Sequence, residues 1–207
     1  QIGQRTDMLA GVSHDLRTPL TRMKLQLEML DDSGAVSDLK GDILEMEHML
    51  EAYLAFARGE GDETPRPTNL TDMLEEIASQ ARRKGALIDL HTEGEIVVPV
   101  RPNAFRRCVT NIVENANRYG EHVSIRAGRR DDAVEITVDD DGPGISDDAR
   151  EDAFKPFFRI DTSRNFETGG VGLGLTIARD VMRGHGGDIE LDGSPAGGLR
   201  ARLTLPL

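Results

Sequence analysis

From Ile2 onward, apolar residues recur at Leu9, Val12, Leu16, Leu20, Met23, Leu27 and Leu30, in steps of seven and then of three or four, which is the heptad seam of a long helix. Asp31, Asp32, Ser33 and Gly34 interrupt the pattern, and it resumes at Leu39, Ile43, Met46, Leu50, Tyr53 and Ala57. Residues 1–58 therefore read as an antiparallel helical hairpin. With the shoulder residues Met8, Leu25, Leu44 and Leu54, the two helices carry more apolar surface than they can bury against each other. A homodimeric four-helix bundle is the expected arrangement.

The next segment, 59–69, reads GEGDETPRPTN, with two Gly, two Pro and three acids. It is expected to be a linker, since it can form neither a helix nor a central strand. In 70–207 the pattern gives a helix from Leu70 to Arg83, short strands at Leu87–His91 and Glu95–Val98, and a helix from Asn103 to Arg118. Period-two strands follow at Val123–Ala127 and Val134–Asp139, then a long polar stretch, a helix from Val171 to Arg183, and strands at Asp188–Leu191 and Leu199–Leu205. Elements grouped in this way predict an α+β sandwich, one sheet covered by helices. The chain is thus expected to be multidomain, an all-α hairpin followed by an α+β domain.

Charge narrows the partners. Of 207 residues 25 are Lys or Arg and 37 are Asp or Glu, a net charge of −12, which repels a phosphate backbone and an anionic membrane alike. Neither nucleic-acid binding nor direct membrane contact is expected. Cys108 is the single cysteine, so a reducing, cytosolic compartment is the natural reading. No apolar run reaches the ~18 residues of a bilayer span, and the polar opening Gln1–Asp7 is not a signal peptide.

His14 stands about 200° round the helix from Val12, facing away from the seam. Asp15 is adjacent, Thr18 lies one turn on, and Pro19 removes the backbone hydrogen bond to the Asp15 carbonyl. That distortion of a regular heptad helix points to function. A carboxylate beside an imidazole can fix its tautomer and leave the other nitrogen nucleophilic. Asn111 and Asn115 share a helix face, where amide oxygens suit a magnesium ion that stays largely coordinated by water and phosphate. Asp139, Asp140 and Asp141 end a strand ahead of Gly142, Pro143 and Gly144, where a carboxylate can accept from an adenine amino group. Gly169, Gly170, Gly172 and Gly174 precede and open a helix whose bare amides can cradle phosphate.

The string HDLRTPLTR, His14 to Arg22, resembles the dimerisation and phosphoacceptor box of sensor histidine kinases, especially the EnvZ-type osmosensors. NIVENANRYG, DDGPGI, FKPFFRID (Phe154 to Asp161) and GGVGLGL resemble that family's N, G1, F and G2 boxes, in the family's order. The resemblance implies that His14 takes the γ-phosphoryl of ATP, that Asp15 assists as base and that Thr18 supports dephosphorylation of a partner receiver. It implies Mg²⁺ at Asn115, with Asn111 in the same box, phosphate at Arg118, adenine under Tyr119, and Asp141 as the adenine reader. Gly142, Gly144, Gly170, Gly172, Gly174 and Leu175 complete the implied nucleotide site, and Arg159 or Arg164, between which the sequence does not choose, meets the γ-phosphate. In the related gyrase and chaperone ATPases a Glu activates water where this chain has Asn111. An amide is no base at neutral pH, so transfer to histidine is favoured over hydrolysis. The implied protein is the cytoplasmic portion of a membrane-anchored sensor, a homodimer that passes its phosphoryl group to a response regulator's aspartate. Its rivals are a hydrolase of the same superfamily and a dimeric scaffold without turnover.

Overall fold

The structure, a computed structural model, describes residues 19–29, 36, 39–41, 43, 46, 63–158 and 172–207. The described residues fall into two units, one within 19–46 and one made of 63–158 with 172–207.

In the first unit, α1 covers residues 19–28 and α2 is described at positions 36, 39–41, 43 and 46. Leu20 and Leu27 of α1 meet Val36 and Ile43 of α2 in one buried cluster, each pair a heptad apart. Glu28 and Lys40 stand across from each other at 3.7 Å. On α2 Ile43 is buried as the seam predicts and Val36 joins it, while the other described seam residues, Leu39 and Met46, remain 50% and 46% exposed. On α1, Leu25 and Met29 are exposed as well.

The second unit opens with β1 (Arg66–Asn69), so the end of the segment expected to be a linker is folded. Its partner is β3 (Val97–Val100) in an antiparallel ribbon of two strands. Pro67 faces Pro99; neither has an N–H to exchange, so the prolines fall at one non-hydrogen-bonded rung and cost the ladder nothing. Asn69 ends β1 and caps α3 (Leu70–Arg83), its side chain accepting from Thr71 N and Asp72 N.

The main sheet runs in the order β2, β4, β5, β7, β6. Its strands are β2 (Leu87–Thr92), β4 (His122–Arg130), β5 (Ala133–Asp140), β6 (Asp188–Gly193) and β7 (Leu199–Pro206). Only β2 and β4 are parallel, the other three ladders being antiparallel. Alternation puts Val123 and Ile125 of β4, Val134, Ile136 and Val138 of β5, and Ala201 and Leu203 of β7 on the buried face. Against this layer lie α3, α4 (Pro102–Tyr119) and α5 (Gly174–Gly184). Phe105, Ile112 and Met182 are among the largest fully buried side chains, and truncating such a phenylalanine typically costs ~3–5 kcal/mol. The opposite face carries Glu135, Thr137 and Asp139 paired with Thr204, Arg202 and Arg200.

α5 begins three residues later than its apolar pattern implies. Gly172 has φ +70, a left-handed conformation that an entering right-handed helix cannot include.

Candidate nucleotide site

The site forms where α4 and α5 meet the ends of β5 and β7. A small cavity of ≈ 10 Å³ is lined by Ile112, Asn115 and Ala116 of α4, Val138 and Asp140 of β5, Leu175 of α5, and Leu199 and Ala201 of β7. That is room for about one water, so a base enters only where these walls part. Apolar walls with one buried carboxylate and one amide give such a base both stacking surface and a directional partner.

The three aspartates divide sharply. Asp140 is 2% exposed, and its Oδ1 accepts from Gly142 N at 2.9 Å and Leu199 N at 3.0 Å. Among the described residues all its hydrogen bonds go to this oxygen, leaving Oδ2 available to a ligand. Burial pushes its carboxyl above the ordinary range, and the charges of Asp141 and Asp139 add to the rise; the two amides oppose it. Asp141 turns away from the cavity. Its Oδ1 accepts from Glu121 N at 2.7 Å and His122 N at 3.0 Å, and its Oδ2 lies 3.2 Å from His122 Nδ1. The His122 amide, then the Glu121 amide and the His122 side chain, hold Asp141 below the usual carboxylate range despite some desolvation. Asp139 turns to the other face of the sheet and pairs with Arg200 at 2.7 Å. The expectation for Asp141 is therefore corrected: its oxygens are committed to the turn after α4, and Asp140 holds the cavity position.

Other expected residues separate in the same way. Asn115 and Leu175 line the cavity. Asn111 instead joins helices, its Nδ2 donating to Gly174 O at 3.3 Å. Arg118 and Tyr119 are exposed on the last turn of α4, Tyr119 at 49%, and neither lines the cavity. Gly142 is required by packing: a Cβ there would come within 2.5 Å of the Tyr119 carbonyl oxygen. Gly144 lies against the Gly198 backbone. Gly174 opens α5, whose N-cap Leu173 contributes no side-chain hydrogen bond to the first amides of the helix. Asn115 fits a magnesium ion that needs one protein oxygen and fills its shell with water and phosphate. Among the described residues no cluster of His, Cys, Asp and Glu makes a dedicated metal cage. His14, Asp15, Thr18, Gly170, Arg159 and Arg164 lie outside the described residues.

The described start of the FKPFFRID segment packs against α5. Phe154 is buried, its carbonyl accepts from Thr176 Oγ1 at 2.8 Å, and the Arg179 guanidinium stands 4.2 Å over its ring. Phe157 is 53% exposed. Sequence reasoning named Asp140 only as one of three strand-end aspartates, and it missed Leu199 and Ala201.

A helix-covered sheet whose strand ends set a buried carboxylate beside a helix asparagine is the frame of an α+β domain suited to a nucleotide. Residues 100–207 match the family model described as histidine kinase-, DNA gyrase B-, and HSP90-like ATPase, and residues 4–90 match the His Kinase A (phospho-acceptor) domain. The chain belongs to the sensor histidine kinases. It is 34% identical over 206 residues to sensor histidine kinase GtrS of Pseudomonas aeruginosa, covering 99% of this chain and 42% of that protein. It is 35% identical over 213 residues to sensor histidine kinase CpxA of Escherichia coli, covering 97% and 46%. The chain thus spans a little under half the length of these relatives. Among solved structures, full-length ShkA in complex with AMPPNP matches with a TM-score of 0.75 at 25% identity, over 98% of this chain and 46% of that one. The histidine kinase domain of the E. coli osmosensor EnvZ matches with a TM-score of 0.55 at 35% identity, over 71% and 92%.

Proposed function

We propose that this chain is the cytoplasmic catalytic core of a two-component sensor kinase, which binds ATP in the α+β unit and transfers the γ-phosphoryl group to His14. The observation that supports it most is the pairing of the buried Asp140 with Asn115 at one small cavity in a chain that also carries the phosphoacceptor string at His14. Asp140 accepts from the adenine amino group, in the role first expected of Asp141. The uncapped start of α5 at Gly174, with Gly170 and Gly172 before it, receives phosphate oxygens. Asn115 holds Mg²⁺, which supplies charge neutralisation on the phosphates when bound. A nitrogen of His14 forms the new N–P bond as the bond to the bridging oxygen breaks. ADP leaves with that electron pair, and the imidazole proton passes to Asp15. Such transfer depends on positioning and charge more than on covalent help from the protein.

The phosphoryl group then passes to an aspartate of a response-regulator receiver, and Thr18 supports the reverse, phosphatase reaction. The active form is a homodimer: Leu25, Met29, Leu39 and Met46 are left exposed by a single hairpin, as a four-helix bundle requires. The domains are the hairpin at 1–58, a linker that ends before β1, and the ATP-binding unit that follows. No helix among the described residues is long and apolar enough to cross a membrane; the parent protein is proposed to be anchored by segments outside this sequence.

The test is incubation with Mg²⁺ and γ-labelled ATP, wild type beside His14→Gln. Protein label stable to alkali, lost in acid and absent from the variant is the expected result. Free phosphate from both proteins without protein label would favour a hydrolase.

A further inference from the structure

Asp139 and Arg200 stand directly opposite each other and form the last register pair of the β5–β7 ladder at this end. The contact is a fork: Arg200 Nε donates to Oδ1 at 2.7 Å and Nη2 to Oδ2 at 3.0 Å. The Asp139 side chain retains 7% of its exposure. One residue further along each strand the ladder ends, and the Leu199 amide finds Asp140 Oδ1 in place of a strand carbonyl. Alternation puts the ion pair on one face of the sheet, with Asp140, Leu199 and Ala201 at the cavity on the other.

The loops leaving both strands are short of side chains to pin them. Gly142 and Gly198 pack against Asp140 itself: a Cβ on Gly142 would come within 3.0 Å of Asp140 Oδ1, and one on Gly198 would overlap that oxygen. A two-pronged guanidinium fixes angle as well as distance. A nearly buried ion pair adds little net stability, because desolvation offsets the attraction. Its position at the open end of the ladder is what gives it a function.

The geometry points to a positioning pair: Asp139 and Arg200 fasten the end of β5 to β7, and so set where the Asp140 carboxylate and the Leu199 backbone stand against an adenine base. This rests on the reading of Asp140 as the adenine acceptor. Neither residue touches the base; both act through the strand that carries Asp140.

The experiment compares affinities for ATP and inosine triphosphate, which has an oxygen in place of the adenine amino group. The proteins are wild type, Arg200→Gln, Asp139→Asn, Asp140→Asn, and the charge-exchanged Asp139→Arg with Arg200→Asp. Both single variants of the pair are expected to lower the preference for ATP by about tenfold, the scale of one misplaced hydrogen bond, with affinity for the inosine nucleotide nearly unchanged. The charge-exchanged protein is expected to recover part of the preference. Reduced folding would weaken both nucleotides in equal proportion, and that outcome, or an unchanged ratio in both single variants, overturns the inference. Asp140→Asn separates the two levels. If it too leaves the ratio unchanged, the adenine assignment fails. If it alone lowers the ratio, only the positioning role fails.

Discussion

Leu199 N donates to Asp140 Oδ1 at 3.0 Å across 59 residues of sequence. This contact ties the last buried carboxylate of β5 to the first residue of β7, and it holds one carboxylate oxygen while leaving the other for a ligand. Burying a carboxylate costs free energy unless its hydrogen bonds are met. Two amides on one oxygen offset that cost in part, and burial still leaves Asp140 raised above the ordinary range. An incoming amino group from a base adds the missing donor.

Stability in acid should depend on Asp188. Burial is the largest single influence on it and raises its pKa, but hydrogen bonds from Arg179, Arg183 and the Ile189 amide, with the Arg179 charge, outweigh it and bring the carboxyl from 3.8 to about 2. A folded-state pKa below the unfolded one contributes stability above pH 3.8 that is lost as pH falls through about 2. At a side chain 43% exposed, solvent screening limits the effect to ~1 kcal/mol or less. Asp188→Asn should therefore unfold at a higher pH than wild type in acid titrations followed by circular dichroism. An unchanged acid midpoint would contradict the assignment.

The two described glycines of GGVGLGL should respond differently to alanine. Gly172 has φ +70, and a Cβ there would lie 2.9 Å from the Phe157 carbonyl carbon, so Gly172→Ala should cost at least ~1–2 kcal/mol. At Gly174 the nearest atom would be Asn111 Cβ at 3.8 Å, an ordinary contact on the first turn of a helix. Gly174→Ala should keep its thermal stability to within ~0.5 kcal/mol yet bind ATP more weakly, since a methyl group intrudes where phosphate approaches the helix start. Calorimetry of melting and of ATP binding on both variants checks the contrast.

Glu63 caps α4 from outside the helix. Its oxygens accept from Asn103 N at 2.9 Å and Ala104 N at 3.1 Å, while the N-cap residue Arg101 offers no side-chain cap. Glu63→Ala should cost ~1 kcal/mol, as loss of a cap does, lowering the melting temperature by about 3 °C. No change in melting would mean that water replaces the carboxylate at no cost.

Dimerisation should be sensitive to the exposed apolar residues of α1. Leu25 and Met29 are 62% and 86% exposed in a single hairpin, so the double variant Leu25→Glu with Met29→Glu should sediment as a monomer at micromolar concentration while wild type sediments as a dimer. A dimeric variant would place the contact on another face.

Much of the α+β unit was legible in its periodicity. α3 and the pair β4 and β5 carry unbroken apolar repeats, which fix their type and, for α3, its bounds, whereas β4 runs on past Ala127 to Arg130. The linker was misjudged at its end because a ribbon that sets Pro67 opposite Pro99 satisfies proline in a way composition does not reveal. The start of α5 was misjudged because nothing in an apolar pattern reports the sign of φ at Gly172. The cavity carboxylate was legible and was not singled out: Val134, Ile136 and Val138 point inward, so period two makes Asp140 the next inward residue and sends Asp139 and Asp141 outward. Leu199 and Arg200 were beyond sequence reasoning, since their roles depend on the β5–β7 register.

The most direct test of the site is ATP affinity in Asp140→Asn beside Asp141→Asn, measured by calorimetry on folded protein. Asp140→Asn should lose ATP binding by tenfold or more, about the cost of an unmet hydrogen bond at a buried site, while Asp141→Asn keeps affinity near wild type. Loss of binding in Asp141→Asn with retention in Asp140→Asn would contradict the account.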